Sequence, residues 1–285
     1  DRMKPRYAPY FFLAPFFALF GVFMVYPLFD SIRLSTYSVR GMQNQTFVGL
    51  ENIERLIADP LFWTALWNTA YFAAGSLLLQ LPVALALALL LSNARLKGRN
   101  LFRLSFFSPV LISGVFIAVI FYLLYDRRYG LVNQALGSEI QWLQDPDLVM
   151  PALVLAGVWR WAGFNMVYFL AGLQSIRQEL YEAAAVDGAG PWQSFVHVTI
   201  PALKPVIAFV VITSMIGSFQ LFDLPYVLTE GGPGNASMTM VMYLYKHGFE
   251  FINLGYAATI GWALAVIIGV ISIIQVRLFG VFREN

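Results

Sequence analysis

The 285-residue chain has no cysteine, only two histidines, and only 12% charged residues. Without cysteine there is no disulfide, thiolate nucleophile or thiolate metal site, and the two histidines, His197 and His247, stand far apart in sequence. The formal net charge of +2 is small and the basic residues are scattered, which excludes a nucleic-acid surface. A phosphate-cradling loop of the G-x4-G-K-[ST] type needs lysine followed by serine or threonine. Lys4, Lys97, Lys204 and Lys246 are followed by Pro5, Gly98, Pro205 and His247, so that motif is missing. No internal repeat, low-complexity tract or sizeable polar domain is visible. Residues 1–285 therefore read as a single transmembrane domain.

What is abundant is apolar. Hydrophobic residues make up 59% of the chain and the mean hydropathy is +0.68, whereas soluble proteins carry roughly 25% charge. Six runs are long enough to cross about 30 Å of hydrocarbon, which takes about 20 helical residues. They lie near residues 10–28, 66–91, 102–125, 149–173, 206–228 and 254–278. Lipid admits only helices and closed barrels, and these runs lack the alternation of barrel strands. The expected fold class is all-α, a polytopic membrane protein with six transmembrane helices. The first run is too long for a cleaved signal, carries prolines and lacks a small-residue cleavage pattern, so it reads as a retained span.

Lysine and arginine placement gives the expected orientation. With the N-terminus inside, the cytoplasmic face gathers eleven basic residues: Arg2, Lys4, Arg6, Arg95, Lys97, Arg99, Arg103, Arg177, Lys204, Arg277 and Arg283. The outer loops hold six, Arg33, Arg40, Arg55, Arg127, Arg128 and Lys246, beside most of the acids. Both termini are thus expected in the cytoplasm. Trp63, Trp67, Trp142 and Tyr129 near span ends read as interface anchors. Gly231-Gly232-Pro233-Gly234 after the fifth run is either a surface turn or a contact for an extracytoplasmic partner.

One cytoplasmic loop has helical patterning of its own. Residues 181–205 read YEAAAVDGAGPWQSFVHVTIPALKP. Leu180, Ala183, Ala184 and Asp187 follow helical spacing, and Trp192, Phe195, Val196 and Thr199 repeat it after Gly188-Ala189-Gly190. The pattern predicts two short helices joined at a bend, with Pro191 as a start signal and Pro201 and Pro205 as stop signals.

Glu182-Ala183-Ala184, three residues, Gly188, nine residues, then Val198-Thr199-Ile200-Pro201 resembles the EAA signature of ABC importer permeases. That signature runs EAA, three residues, Gly, nine residues, Ile, one residue, Leu-Pro. Val198 and Ile200 replace its Ile and Leu. Further stretches, at residues 8–34, 47–52, 98–115, 171–185 and 228–237, are similar to the carbohydrate-uptake branch, the relatives of the maltose and glycerol-3-phosphate permeases.

The resemblance implies a type I importer permease fold in the cell inner membrane. It also implies a coupling loop, about residues 174–204, that docks on a separate cytoplasmic ATPase. The implied partners are two ATPase subunits, a second, related permease forming a heterodimer, an extracytoplasmic substrate-binding protein, and membrane lipid. The implied cargo is a sugar, oligosaccharide or related polyol. The chain would be no enzyme and bind no cofactor, with ATP and Mg on the partner. For docking, Glu182 offers a carboxylate, Ala183 and Ala184 allow close approach, Asp187 and Gly188 form the bend, and Trp192 and Phe195 supply apolar anchors ahead of Pro201. A helix lying on headgroups is the competing reading, and His197 reads as a surface or docking residue.

Charged and polar residues inside spans are costly, so they point to a lumen or to interhelix contacts. The candidates for a substrate pathway are Trp159, Arg160, Asn165 and Tyr168 on span four, with Trp161 beside them. Phe219, Gln220, Phe222 and Asp223 are the candidates on span five. A contact between Arg160 and Asp223 is one way to satisfy the arginine; backbone carbonyls or a partner permease are the others. Gly255, Gly261 and Gly269 on span six are expected to serve close helix packing. A secondary ion-coupled transporter is the alternative function, without an inverted repeat to support it. An intramembrane hydrolase lacks a Ser motif paired with an in-span His.

Overall fold

The computed structural model describes residues 8–40, 44–93 and 96–280. Arg2, Lys4, Arg6, Arg95 and Arg283 of the orientation argument lie outside them. Five helices are long and apolar enough to span a membrane: Tyr10–Ser35, Pro60–Ser92, Pro146–Ser175, Pro191–Phe219 and Leu254–Phe279. A bent pair, Arg99–Leu111 and Gly114–Leu124, makes a sixth candidate.

The chain divides into two compact units. The first takes the described residues up to Pro60 together with Tyr243–Ala265. It holds α1 (Ala8–Phe20), a π-helical turn (Gly21–Val25) and α2 (Tyr26–Ser35). A hairpin of β1 (Tyr37–Arg40) and β2 (Asn44–Phe47), antiparallel with Tyr37 opposite Phe47, then leads to α3 (Glu51–Ala58). The hairpin was not expected. Its YSVR and NQTF segments are too short to show in hydropathy. Asn52 fixes it by donating its amide to the Ser35 and Tyr37 carbonyls at 2.9 and 3.0 Å.

Span six packs onto the same unit. Trp262 Nε1 donates to Ser31 Oγ at 3.1 Å, and a Cβ on Gly255 would overlap the Tyr37 carbonyl oxygen. Gly261 packs against Leu244, as expected, whereas no heavy atom of the described residues lies within 4 Å of the Cβ position of Gly269. At the other end of the unit, Asp59 accepts from the Tyr243 and Tyr256 hydroxyls while the Arg55 guanidinium lies 4.2 Å from the Tyr256 ring centroid. Burial first, then the bond to Asp59, raises the Tyr243 hydroxyl above the usual phenol range, so it remains a proton donor.

The second unit comprises Leu61–Met242 and the described residues from Val266 onward. In chain order the elements are α4 (Pro60–Ser92), α5 (Arg99–Phe107), a 3₁₀ turn (Ser108–Leu111), α6 (Gly114–Leu124), α7 (Leu131–Leu136) and α8 (Pro146–Ser175). There follow α9 (Gln178–Val186), α10 (Pro191–Ser194), a π-helical turn (Phe195–Thr199), α11 (Ile200–Phe219) and α12 (Asp223–Thr229), and then α13 (Met240–Tyr245) and α14 (Leu254–Phe279), of which Tyr243–Tyr245 and Leu254–Ala265 belong to the first unit. Two buried apolar clusters hold this unit. Phe72, Ile117, Phe121, Leu153 and Leu224 belong to one, and Ala84, Ala88, Met166, Phe169 and Val210 to the other.

Three expectations are corrected. The run 102–125 is not one helix: the chain turns by 102° at Ile112–Ser113. Pro109 starts the 3₁₀ turn, and Ser113 is extended at ψ 141, which ends the first helical register. The run 206–228 is also interrupted. α11 ends at Phe219 and α12 restarts at Asp223, since Pro225 cannot donate into a continuous ladder. Thr239 Oγ1 donates to the Leu221 carbonyl left open by this break, at 2.9 Å.

The third correction concerns Pro201 and Pro205, which do not stop a helix. α10, the π turn and α11 form one continuous rod, Pro191–Phe219. The first span shows why. Pro27 follows the π turn at Gly21–Val25 by two residues, as Pro201 follows the one at Phe195–Thr199. A proline ring presses on the carbonyl four residues back, and in both cases that carbonyl, of Phe23 or His197, lies within the widened turn.

Two loop segments of the second unit are tied by side-chain amides. Asn133 donates to the Arg127 and Ile140 carbonyls and accepts from Trp142 Nε1 at 2.9 Å, so Trp142 is pinned by the protein while Tyr129 is exposed. Asn68 on α4 donates to the Asn235 and Met238 carbonyls, anchoring the segment that follows Gly231-Gly232-Pro233-Gly234.

Candidate functional sites

The interrupted helices of the second unit place a polar interval between its two apolar clusters. On α4, Ser76 and Gln80 lie between Phe72 of one cluster and Ala84 of the other. On α8, Trp161, Phe164 and Asn165 lie between Ala156 and Met166. On α11, Thr213, Ser214 and Ser218 follow Val210 and precede the break at Leu221. Together they line a cavity of about 130 Å³. Asn165 Nδ2 donates to Ser214 Oγ at 3.0 Å and ties α8 to α11 across it. Ser76 Oγ is buried and has no hydrogen-bond partner among the described residues. Such a hydroxyl is costly to leave unmatched, and it lies on the lining.

Of the expected pathway residues, Asn165 lines the cavity. Trp161, named beside them, does so as well. Arg160 and Asp223 do pair, with Nη1 3.7 Å from Oδ2, and their side chains are 15% and 46% exposed. The Arg160 guanidinium also lies 5.1 Å from the Trp161 ring centroid. The others are placed elsewhere. Trp159 meets the Phe121 ring, Tyr168 packs between Phe164 and Phe209, Phe219 is buried, Gln220 is exposed, and Phe222 stacks on Tyr226. Sequence reasoning missed Ser76, Gln80, Phe164, Thr213 and Ser214. A usable signal existed, because Ser76 and Gln80, Trp161 and Asn165, and Ser214 and Ser218 each stand four apart, so each pair shares one helix face.

Gly114 explains how the ion pair fits. It is the first residue of α6 after the bend, and a Cβ there would overlap Asp223 Oδ2 and lie 2.6 Å from Arg160 Nη1. The carboxylate thus sits at the start of α6, where helix polarity favours a negative charge. Arg160→Asp alone is expected to cut uptake at least about tenfold, since it sets two carboxylates together at a low-dielectric site. Arg160→Asp with Asp223→Arg should restore most of it. Uptake in cells that matches the level of membrane-inserted protein is the measurement, and a double reversal no better than the single one counts against the pair.

The candidates at residues 180–201 form a helical hairpin. α9 closes with a Schellman-type turn: Ala189 N donates to Ala184 O at 2.9 Å and Gly188 N to Ala185 O at 3.1 Å. This turn requires a left-handed residue, and Gly188 has φ +79° with open space around it, so its glycine serves conformation and not packing. The Tyr181 hydroxyl bonds Thr199 Oγ1 at 2.9 Å and joins α9 to the base of the long rod. Gln193 reaches back to the Gly190 N–H at 2.8 Å, and His197 Nδ1 bonds the Gln193 carbonyl. Ala183, Ala184, Asp187 and Gly188 face a cleft between the two arms. Glu182 is exposed outside that lining, as is Trp192 at 73%, whose ring meets Phe195 at 5.5 Å. Pro201 lies exposed at the start of α11.

Comparison with known proteins covers nearly the whole chain. The family described as "Binding-protein-dependent transport system inner membrane component" matches residues 80–283. The lactose transport system permease protein LacF of Rhizobium radiobacter is 41% identical over 273 residues, 93% of this chain and 91% of that one. The arabinooligosaccharides transport system permease protein AraP of Bacillus subtilis (strain 168) is 40% identical over 282 residues, 97% and 90% of the two chains. Among solved structures, a chain of a bacterial ABC transporter involved in the import of the acidic polysaccharide alginate superposes with a TM-score of 0.84 at 25% identity, covering 98% of this chain and 96% of that one. The same transporter type in complex with an alginate pentasaccharide-bound periplasmic protein gives 0.84 at 25%, over 95% and 93%.

Proposed function

Because this chain belongs to the family of binding-protein-dependent transport system inner membrane components, we propose that it carries a sugar, oligosaccharide or related polyol across the membrane through the α4–α8–α11 cavity. The chain is a multi-span permease of the inner membrane, a transport component and not an enzyme, and ATP is used by a separate ATPase. The carrying observation is the cavity lining. Hydroxyls and amides from Ser76, Gln80, Asn165 and Ser214 suit sugar hydroxyls, while Trp161 and Phe164 offer aromatic faces to C–H surfaces. Relatives named for lactose and arabinooligosaccharide transport support the sugar class.

In this reading both compact units form one permease domain with both termini in the cytoplasm. A related second permease completes the path, and two ATPase subunits with Mg-ATP drive it. An extracytoplasmic binding protein, of the kind seen with the alginate transporter, delivers cargo. The loop at about residues 174–204 is the docking element for the ATPase, through Glu182, Ala183, Ala184, Asp187, Gly188, Trp192, Phe195 and Pro201. ATP-driven closure of the partners then moves the long rod that α10 and α11 form, and switches access to the cavity.

The test is uptake of labelled sugar by proteoliposomes holding the assembled transporter and its binding protein. Uptake should require ATP and be indifferent to an imposed proton or sodium gradient. Gradient-driven uptake without ATP would instead establish a secondary transporter.

A further inference from the structure

We infer that the cavity admits uncharged saccharides and disfavours acidic ones, and that Asp223 sets this preference by holding the charge of Arg160. The inference rests on the reading of the cavity as the sugar site and adds the charge class of its cargo. The lining itself carries no charged side chain. The basic residue next to it in sequence is Arg160, one position before Trp161, whose indole forms part of the wall.

An unpaired guanidinium there would be a strong anchor for a uronate or sulfonate. Arg160 is largely buried and its Nε has no hydrogen-bond partner among the described residues, so solvent screens it little. Asp223 cancels that field. Its carboxylate lies 3.7 Å from Nη1, two residues beyond Leu221 of the cavity lining. Gly114 closes over both partners so tightly that a Cβ would overlap the carboxylate, which leaves the pair little room to separate. A neutral sugar meets hydroxyls and amides and loses nothing to the pair. An acidic sugar finds no charged partner on the lining and, behind Trp161 and Leu221, an arginine already matched, so its own charge is desolvated without compensation.

The test uses the detergent-purified transporter, permeases with ATPases, without the binding protein, which would impose its own selection. Equilibrium dialysis compares radiolabelled neutral disaccharides, maltose and lactose, with digalacturonate. The wild-type complex should bind at least one neutral sugar about tenfold or more tightly than digalacturonate. Asp223→Asn should shift that ratio at least about tenfold towards digalacturonate. Asparagine keeps the size of the aspartate beside Gly114 and presents an amide oxygen to the guanidinium, so the variant should assemble. Arg160→Met combined with Asp223→Asn should return the preference to the neutral sugar.

Wild-type binding of digalacturonate as tight as that of the neutral sugars overturns the inference, and this comparison needs no variant. Neutral binding with a ratio that Asp223→Asn leaves unchanged overturns it while the sugar-site reading stands. Failure of the wild type to bind any of the three overturns both.

Discussion

Gly163→Ala should destabilise the assembled transporter by about 2 to 3 kcal/mol and remove most uptake, although alanine is the better helix former by about 1 kcal/mol. The reason is a backbone contact. A Cβ at position 163 would overlap the Phe106 carbonyl oxygen and crowd the Phe107 nitrogen. Backbone atoms in a helix cannot swing aside as a side chain can, so either α5 lifts from α8 or the bend at Ile112–Ser113 opens. Both displace Gly114, and with it the Arg160–Asp223 pair. Gly269→Ala is the control, because nothing lies near its Cβ position on α14. There the propensity term acts alone, and the substitution should be neutral or stabilising. Thermal unfolding of the purified complex, read beside uptake, decides the matter. Equal melting temperatures for the two variants would sink the packing argument.

In the proposed docking loop, Ala183→Trp and Glu182→Lys should leave the fold nearly untouched and yet separate the permease from its ATPase. Both positions are exposed, so folding stability should change by no more than about 0.5 kcal/mol. Docking is different. Bulk at Ala183 keeps a partner surface from closing on the cleft between α9 and the long rod. Lysine at position 182 sets a cation where a carboxylate is proposed to meet a basic partner residue. Central contacts of this kind are worth about 2 to 4 kcal/mol, so uptake should fall about thirtyfold or more. Co-purification of the ATPase and sugar uptake are the paired readouts. Retained ATPase with unaltered uptake in both variants would remove the loop from the coupling path.

The loop shows how far linear patterning reaches. Helical spacing over residues 180–187 anticipated α9, and Gly188 stands at the bend because its left-handed φ lets the Schellman turn form. The second arm was misjudged as a short helix stopped by prolines. Whether Pro201 ends a helix depends on the register of the turn before it, and a π turn leaves no mark in composition. The Arg160–Asp223 pair was legible for a simpler reason, since two opposite charges in apolar runs have few ways to be satisfied. The cavity was half legible. Asn165 and Trp161 stood out by type, whereas Ser76, Thr213 and Ser214 are small polar residues that pass unnoticed in a membrane helix until their neighbours are known.

The sequence alone determined the solvent in which this chain folds, the number and approximate position of its spans, the missing nucleotide motif and the EAA spacing, because each depends on transfer free energy or on fixed spacing within one segment. The tertiary structure decided where two of those spans break, which polar faces meet in one cavity, and that Gly114 and Gly163 are indispensable for close approach. Those properties arise between segments distant in the chain, such as the Phe106 carbonyl against α8 or Asp223 at the start of α6. A hydropathy profile assigns each residue its preference for lipid over water, but it contains no term for which neighbour that residue will touch.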